Sequence, residues 1–199
     1  MGTIQIDEKY DKWRHMLKED IDRKRYLHSI GVSNTAACLA MRFGCDVRKA
    51  YVAGLLHDCA KGLDKNELIG TVSRSNMEVT SVERSNPELL HSKAGSVIAR
   101  EKYDIEDEDI LEAIRWHTTG KPEMSLLESI IFVADYIEPN RHDIPHLDSI
   151  RQMAFTDIDI AIAMICRNSI LYLKRKDRQI DRITYDTYEY YKENSNYVE

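Results

Sequence analysis

Long hydrophobic runs are missing from this sequence. The longest apolar stretches are residues 130–134 and residues 158–166, and the second contains Asp159. Both are far shorter than the about 20 apolar residues that a membrane-spanning helix needs. The N-terminal residues mix acidic and basic side chains and lack the apolar core of a secretory signal peptide. We therefore expect a cytoplasmic protein with no membrane association.

Cysteine pairs and excess positive charge are also missing. None of the four cysteines belongs to a C-x-x-C pair, so the sequence indicates neither a zinc ribbon nor a disulfide framework. Reduced thiols in a cytoplasmic protein fit this pattern better. The formal net charge of -6 disfavours a nucleic-acid binder, since such proteins present a basic face. A phosphorylated small molecule stays compatible with this charge, because metal ions and local cations hold phosphate inside acidic proteins.

The feature that the sequence does have is helical periodicity. Its 199 residues, 43% apolar and 31% charged, are typical of one globular domain. Apolar residues recur at helical spacing between the glycines and prolines, and no segment alternates with period two. The sequence predicts an all-α fold, a single helical bundle over residues 1–199. Its core is expected at about 20–176, followed by a C-terminal segment at about 177–199.

Local signals place several helix boundaries. Gly44 follows a helical stripe over residues 25–43, as expected of a glycine that ends a helix. Ser125 and Glu128 form the S-x-x-E pattern of a capping box before the apolar residues 126–137. These signals support a chain of separate helices joined by short turns.

Histidines and two aspartates stand out against this background. His57 and Asp58 are adjacent near a predicted helix end, where neighbouring side chains can both reach one site. Asp135 interrupts an apolar helix, and a carboxylate facing burial there needs a strong partner such as a metal ion. Three further histidines fall at or near predicted helix ends: His28, His91 and His117. Each of these residues alone is more often an ordinary core or surface residue, so it is the combination that indicates a metal site.

The order of these residues resembles the HD-domain superfamily of metal-dependent phosphohydrolases. The short sequence motifs that carry the resemblance are RYLHSIGV at 25–32, LHDCAK at 56–61, NPELLH at 86–91, WHTTG at 116–120 and VADYIEPNR at 133–141. Together they look like the YqeK-like family of bacterial symmetrical bis(5'-nucleosyl)-tetraphosphatases. The resemblance covers about residues 10–190.

The resemblance implies a centre of two divalent metals. The positions that match the ligands of one metal are His28, His57, Asp58 and Asp135. Two middle histidines, His91 and His117, would complete the second site, with Asp58 bridging the ions. The resemblance implies iron, although imidazole and carboxylate ligands also accept manganese, cobalt, nickel or zinc.

The resemblance also implies the reaction, in which a metal-activated hydroxide attacks an inner phosphate of diadenosine tetraphosphate and gives two ADP. Asp58 and Lys61 are the expected catalytic residues. The expected substrate contacts are Arg25, Lys61, His91, His117, Thr118, Arg141 and Thr184. Three of these contacts are cations: Arg25, Lys61 and Arg141. Taken singly, each is more often a solvated surface charge.

The C-terminal segment matches the family only in part. Residues 180–184 occupy the place of the segment that covers the nucleotide in the family, and Thr184 matches the family's threonine. The chain departs from the family at Asp181 and Arg182, where a histidine or aromatic residue followed by proline is expected. The tyrosines that follow leave two interpretations open, stacking on an adenine or a loosely ordered tail.

Other functions stay open at this point. An HD-domain nucleotidase acting on another nucleotide and a hydrolase of guanosine tetraphosphate-type alarmones are both enzymatic alternatives. The pair His91 and His117 favours two metals and disfavours the one-metal alarmone hydrolases. A non-catalytic nucleotide or metal sensor is disfavoured because every ligand position is filled, and a helical scaffold with accidental histidines would bind no metal. A homodimer is an open alternative, and three histidines are expected at the surface: His15, His142 and His146.

Overall fold

The regular structure is helical throughout the part of the chain that is described. The computed structural model describes residues 8–197, which form eleven α-helices and one short 3-10 helix and contain no strand. The α-helices are α1 (Glu8–Asp20), α2 (Arg23–Phe43), α3 (Val47–Leu56), α4 (Lys65–Arg74), α5 (Ser81–Ser85), α6 (His91–Tyr103), α7 (Glu108–Trp116), α8 (Leu126–Ile137), α9 (Leu147–Ala154), α10 (Ile158–Arg175) and α11 (Arg182–Asn194). The 3-10 helix is Pro87–Leu90. The predicted all-α fold is confirmed.

Capping residues define the helices that hold the site. Gly44 ends α2 in the left-handed conformation, with φ of 77°, which glycine adopts without strain. The Asp46 side chain accepts hydrogen bonds from two backbone N–H groups at the start of α3. The predicted capping box of Ser125 and Glu128 opens α8.

Five helices surround the main core. α2 packs along α3, and α8 packs against α2, α3 and α7, while α10 covers the outer side of α8. Leu39, Leu55, Ile114, Ile130 and Ile162 are fully buried between them. A smaller apolar cluster joins α4, the 3-10 helix and α6. This arrangement brings the C-terminal ends of α3 and α7 and the first turn of α6 together.

The C-terminal segment is a helix, so the interpretation as a loosely ordered tail is wrong. α11 packs against α10 and buries Tyr188 and Tyr191. The hydroxyl of Tyr191 accepts a hydrogen bond of 3.0 Å from the backbone N–H of Met124. Tyr188 and Tyr191 are three positions apart, so they face one side of the helix and give it an apolar stripe. The division of the chain near residue 177 stays a prediction.

Two further observations concern the whole described chain. Between residues 8 and 197, no helix combines the length and the apolar character needed to cross a bilayer. All four cysteines are free thiols, and two of them, Cys59 and Cys166, are buried.

Candidate metal centre

The six predicted ligands converge on one point. His28 lies in the second turn of α2, and Asp135 lies in the last turn of α8. The other four come from helix ends: His57 and Asp58 at the end of α3, His91 at the start of α6, and His117 at the end of α7. Their ligand atoms form three overlapping groups, and within each group all atoms lie within 4.8 Å of one another.

Three of the histidines are held in the same way. Their Nδ1 atoms donate to the backbone carbonyls three residues earlier, at 2.8 Å for His57 and 2.7 Å for both His91 and His117. Carbonyls near helix ends lack intrahelical partners, so these side chains also satisfy orphaned acceptors. Because a carbonyl only accepts, each Nδ1 carries the proton. Each Nε2 therefore presents a lone pair to the centre, as a metal ligand requires.

Asp58 lies between His57 on one side and the pair His91 and His117 on the other. Its Oδ1 lies 3.5 Å from the Nε2 atoms of both His91 and His117. Its Oδ2 lies 3.7 Å from Nε2 of His57. Asp135 lies on the side of His57, with its Oδ1 at 2.9 Å from Nε2 of His28 and 3.7 Å from Nε2 of His57. One carboxylate thus faces both groups of histidines.

The donor atoms fit a divalent metal. The Nε2 atoms of His91 and His117 are 3.2 Å apart, and both carry lone pairs, so they repel unless a cation lies between them. Neighbouring ligands of one ion, each at about 2.0–2.2 Å from it, are separated by about 3 Å. The Thr118 hydroxyl lies 3.1 and 3.2 Å from these two nitrogens but can donate to only one of them. Nε2 of His57 is buried without a hydrogen-bond partner in the described chain.

Burial and charge set the protonation states that metal binding needs. Burial lowers the pKa of His57 to about 4 and that of His91 to about 3, so both rings are neutral near pH 7. Burial by itself would raise the pKa of Asp58, but interaction with His57 and His117 in their protonated forms holds it well below its usual range. Burial likewise opposes ionisation of Asp135, while the hydrogen bond from His28 lowers the pKa of that carboxyl. Neutral imidazoles and ionised carboxylates are the forms that bind metal.

The three predicted cations lie at the rim of the cluster. Nη1 of Arg25 is 3.5 Å from Oδ2 of Asp58, and Nη2 of Arg141 is 2.6 Å from Oδ1 of Asp135. The side chains of Arg25 and Arg141 are 42% and 40% exposed, so part of each guanidinium faces solvent. Lys61 is half-buried; burial lowers its pKa, and the Asp58 carboxylate opposes that shift.

Comparison with known proteins places this arrangement in a family. The HD domain family matches residues 25–140, a range that contains all six residues of the cluster. The chain belongs to the HD-domain family. A symmetrical bis(5'-nucleosyl)-tetraphosphatase of Bacillus subtilis is 41% identical over 86% of this chain and 91% of its own length. The protein of the same name from Halalkalibacterium halodurans is 45% identical over 87% of this chain and 91% of its own length.

A solved structure agrees with this placement. A protein of Clostridium acetobutylicum, described as a predicted HD superfamily hydrolase involved in NAD metabolism, superimposes with a TM-score of 0.90 and 39% identity. The match covers 94% of this chain and 98% of that one. Within the HD-domain family, the chain therefore belongs with the symmetrical bis(5'-nucleosyl)-tetraphosphatases, as the sequence resemblance predicted.

The structure does not bring Thr184 into the cluster of the six predicted metal ligands, which we call the HD cluster. Thr184 lies in the first turn of α11, and no hydrogen bond within residues 8–197 joins its side chain to the cluster. α11 approaches the site one turn later, where the Thr187 hydroxyl lies 3.4 Å from the carbonyl of Thr119. Gly120 permits this approach, since its φ is +63° and a Cβ there would lie 2.9 Å from Thr187. The role of Thr184 as a substrate contact stays a prediction.

Asp181, where the chain departs from its family's pattern, has a clear structural role. Its carboxylate accepts a hydrogen bond from Ile183 N at 3.2 Å and so caps α11. The second carboxylate oxygen accepts a hydrogen bond of 2.7 Å from Thr80 Oγ1. Thr80 is itself the N-cap of α5, so Asp181 ties the start of α11 to that short helix.

Glu138 lies beside the HD cluster, and no role for it was predicted from the sequence. The Glu138 carboxylate is buried and accepts a hydrogen bond of 3.1 Å from Nδ1 of His28. An acid directly after the apolar helix of Asp135 was a signal that could have identified it. The three histidines expected at the surface, His15, His142 and His146, are exposed.

Proposed function

We propose that this HD-domain protein hydrolyses diadenosine tetraphosphate symmetrically to two ADP. The observation that carries the proposal is the arrangement of His91, His117 and Asp58. Two lone-pair nitrogens 3.2 Å apart face one oxygen of a carboxylate whose other oxygen faces His57. Relatives that carry this activity in their names match most of this chain, and the chain covers 91% of two of them.

The residues divide into two sets of ligands that share Asp58. One set is His28, His57, Asp58 and Asp135, and the other is Asp58, His91 and His117. When bound, divalent metals supply Lewis-acid catalysis and lower the pKa of a water molecule, so that hydrolysis runs near neutral pH. A carboxylate that stays ionised while facing both sets is suited to bridge them.

The chain's cations would bind and orient the polyphosphate. Arg25 and Arg141 already bind one oxygen each of Asp58 and Asp135, and both retain exposed N–H groups that can bind phosphoryl oxygens. Lys61 is half-buried, and its ammonium would offset the charge that develops on the attacked phosphate. The Thr118 hydroxyl can donate to a phosphoryl oxygen. Protein groups that neutralise and hold the substrate are the main requirement of phosphoryl transfer.

The bond changes define the product. The oxygen of a water molecule bonds to one inner phosphorus, and the bond from that phosphorus to the central bridging oxygen breaks. The leaving group is one ADP, and the attacked half becomes the second ADP after loss of the water's protons. Hydrolysis in ¹⁸O-labelled water should therefore place label in the terminal phosphate of half of the ADP molecules.

A product assay combined with metal analysis tests the proposal. The purified chain should contain about two metal ions per molecule and should convert diadenosine tetraphosphate to ADP alone. Release of AMP and ATP would contradict symmetrical cleavage, and preferential turnover of a mononucleotide would favour the nucleotidase alternative. Absence of metal and of turnover after iron or manganese is added would contradict the proposal altogether.

Several finer properties belong to the same proposal. We propose iron as the resident metal, which anaerobic purification followed by elemental analysis would test against manganese, cobalt, nickel and zinc. A cytoplasmic location is supported by four free thiols, which persist in reducing compartments. A homodimer is an open alternative that sedimentation analysis would decide.

A further inference from the structure

His28 differs from the other histidines of the centre in what holds its Nδ1 atom. His57, His91 and His117 use backbone carbonyls near helix ends. His28 lies inside α2, where the carbonyls behind it already accept helix hydrogen bonds. Its Nδ1 therefore needs a partner from another segment, and that partner is the Glu138 carboxylate at 3.1 Å.

The Glu138 carboxylate is itself held firmly. It lies directly after α8, and its side chain is only 2% exposed. Its Oε2 accepts hydrogen bonds from the backbone N–H of Asn140 at 2.8 Å and from Asn140 Nδ2 at 3.0 Å. Arg151 fixes the backbone by donating to the carbonyl of Glu138 at 3.1 Å. Oε1 is therefore presented to His28 with little freedom to turn away.

α2 leaves room for this carboxylate. Gly31 lies one turn after His28, and a Cβ at that position would be 2.3 Å from Oε2 of Glu138. A side chain at position 31 is incompatible with the Glu138 carboxylate in its observed place. The helix that supplies His28 thus also supplies the space for its partner.

We infer that Glu138 is a positioning residue of the metal centre, acting through His28. A carboxylate on Nδ1 keeps the proton on that nitrogen, directs Nε2 toward Asp135 and increases the basicity of the ring as a ligand. The inference rests on the proposed function only in taking His28 as a metal ligand. The loss of such outer partners typically weakens metal binding by about 10–100-fold.

Titration of metal-free protein with Co²⁺ against a competing chelator tests this role without using activity. E138Q offers one acceptor oxygen where the carboxylate offers two, so it cannot serve both His28 and Asn140. G31A displaces the carboxylate without removing its charge. Both variants should bind one of two Co²⁺ equivalents about 10–100-fold more weakly, with an altered visible spectrum and unchanged helicity.

Two matched controls separate this effect from general damage. E101Q removes an exposed carboxylate from α6, and G70A adds a methyl group in α4 where its nearest neighbour is the Arg74 guanidinium at 3.7 Å. Both controls should bind Co²⁺ as the original chain does. Original affinity in E138Q and G31A would overturn the inference, as would a loss of affinity that only follows loss of helicity. An original chain that binds two Co²⁺ but leaves diadenosine tetraphosphate intact would refute the proposed function alone.

Discussion

The proton position on each histidine decides what the centre can bind. His57, His91 and His117 place the proton on Nδ1 because a carbonyl faces it, and they point bare Nε2 atoms at one another. Lone pairs that face one another in a buried cluster repel, and a cation among them removes that repulsion. The ring orientations therefore indicate a metal site independently of the family to which the chain belongs.

Asp58→Asn should remove both metal binding and turnover. The amide leaves one acceptor oxygen, whereas Asp58 offers oxygens to His57 on one side and to His91 and His117 on the other. We expect activity to fall by more than the about 10–100-fold typical of outer-shell changes, with helicity retained. Asp159→Asn removes an exposed carboxylate and should be silent in the same assay. Full activity in Asp58→Asn would contradict the bridging role.

The stability of the metal-free protein should depend on pH through its buried histidines. His57 and His91 have an ordinary pKa of 6.5, which burial lowers to about 4 and about 3 in the folded chain. Between these values the unfolded chain binds more protons, so the free energy of unfolding should fall as pH falls from 6.5 toward 4. Burial opposes protonation of His28, but its hydrogen bond to Asp135 raises the pKa of that ring, so His28 acts in the opposite direction.

Chemical denaturation in the presence of a chelator at pH 8, 6 and 4.5 would measure this dependence. A loss of a few kcal/mol across the range is expected. His142→Ala changes an exposed histidine and should leave the slope unchanged. An unfolding free energy that stays level over this range would contradict the buried, neutral state of the two rings.

At the scale of single elements, α11 is anchored by polar contacts as well as by its apolar stripe. The Tyr191 hydroxyl accepts from the N–H of Met124, and Asp181 accepts from Thr80. These contacts attach the helix to the loop before α8 and to α5. The segment that follows the core is thus held by two separate parts of the chain.

Tyr191→Phe should destabilise the protein by about 1–3 kcal/mol, because it leaves the buried N–H of Met124 without its acceptor. Thermal unfolding would detect the change, and turnover per folded molecule should remain. Tyr172→Phe is the matched control, since that side chain is exposed on α10. Equal melting temperatures for the two variants would show that the Tyr191 hydroxyl does not anchor α11.

Some elements were predictable from the sequence because their signals are local. The end of α2 at Gly44 and the capping box of Ser125 and Glu128 depend on residues a few positions apart, and both are present. The docking of α11 was not predictable in this way. Its position depends on packing against α10 and on the hydrogen bond from Met124, which lies 67 positions from Tyr191 in the sequence. The contact of Glu138 with His28 was missed for the same reason.

For the whole molecule, bound metal should contribute measurably to stability. An ion that binds only the folded chain adds about 2.7 kcal/mol at a concentration about 100-fold above its Kd. For a chain of this length, a chelator should then lower the melting temperature by about 5–10 °C. Differential scanning calorimetry with and without a chelator would measure the shift. If the Asp58→Asn variant shows the same shift, the stabilising ion binds elsewhere.

The six ligands come from five separate helical segments between His28 and Asp135, and this spread has a kinetic consequence. A bound ion closes a loop of more than half of the chain, so it acts as a non-covalent cross-link between distant segments. The ligands meet only after the long-range packing of α2, α3, α7 and α8 is complete. Metal uptake should therefore be a late event in folding, and a partly folded chain should lack the affinity of the finished centre.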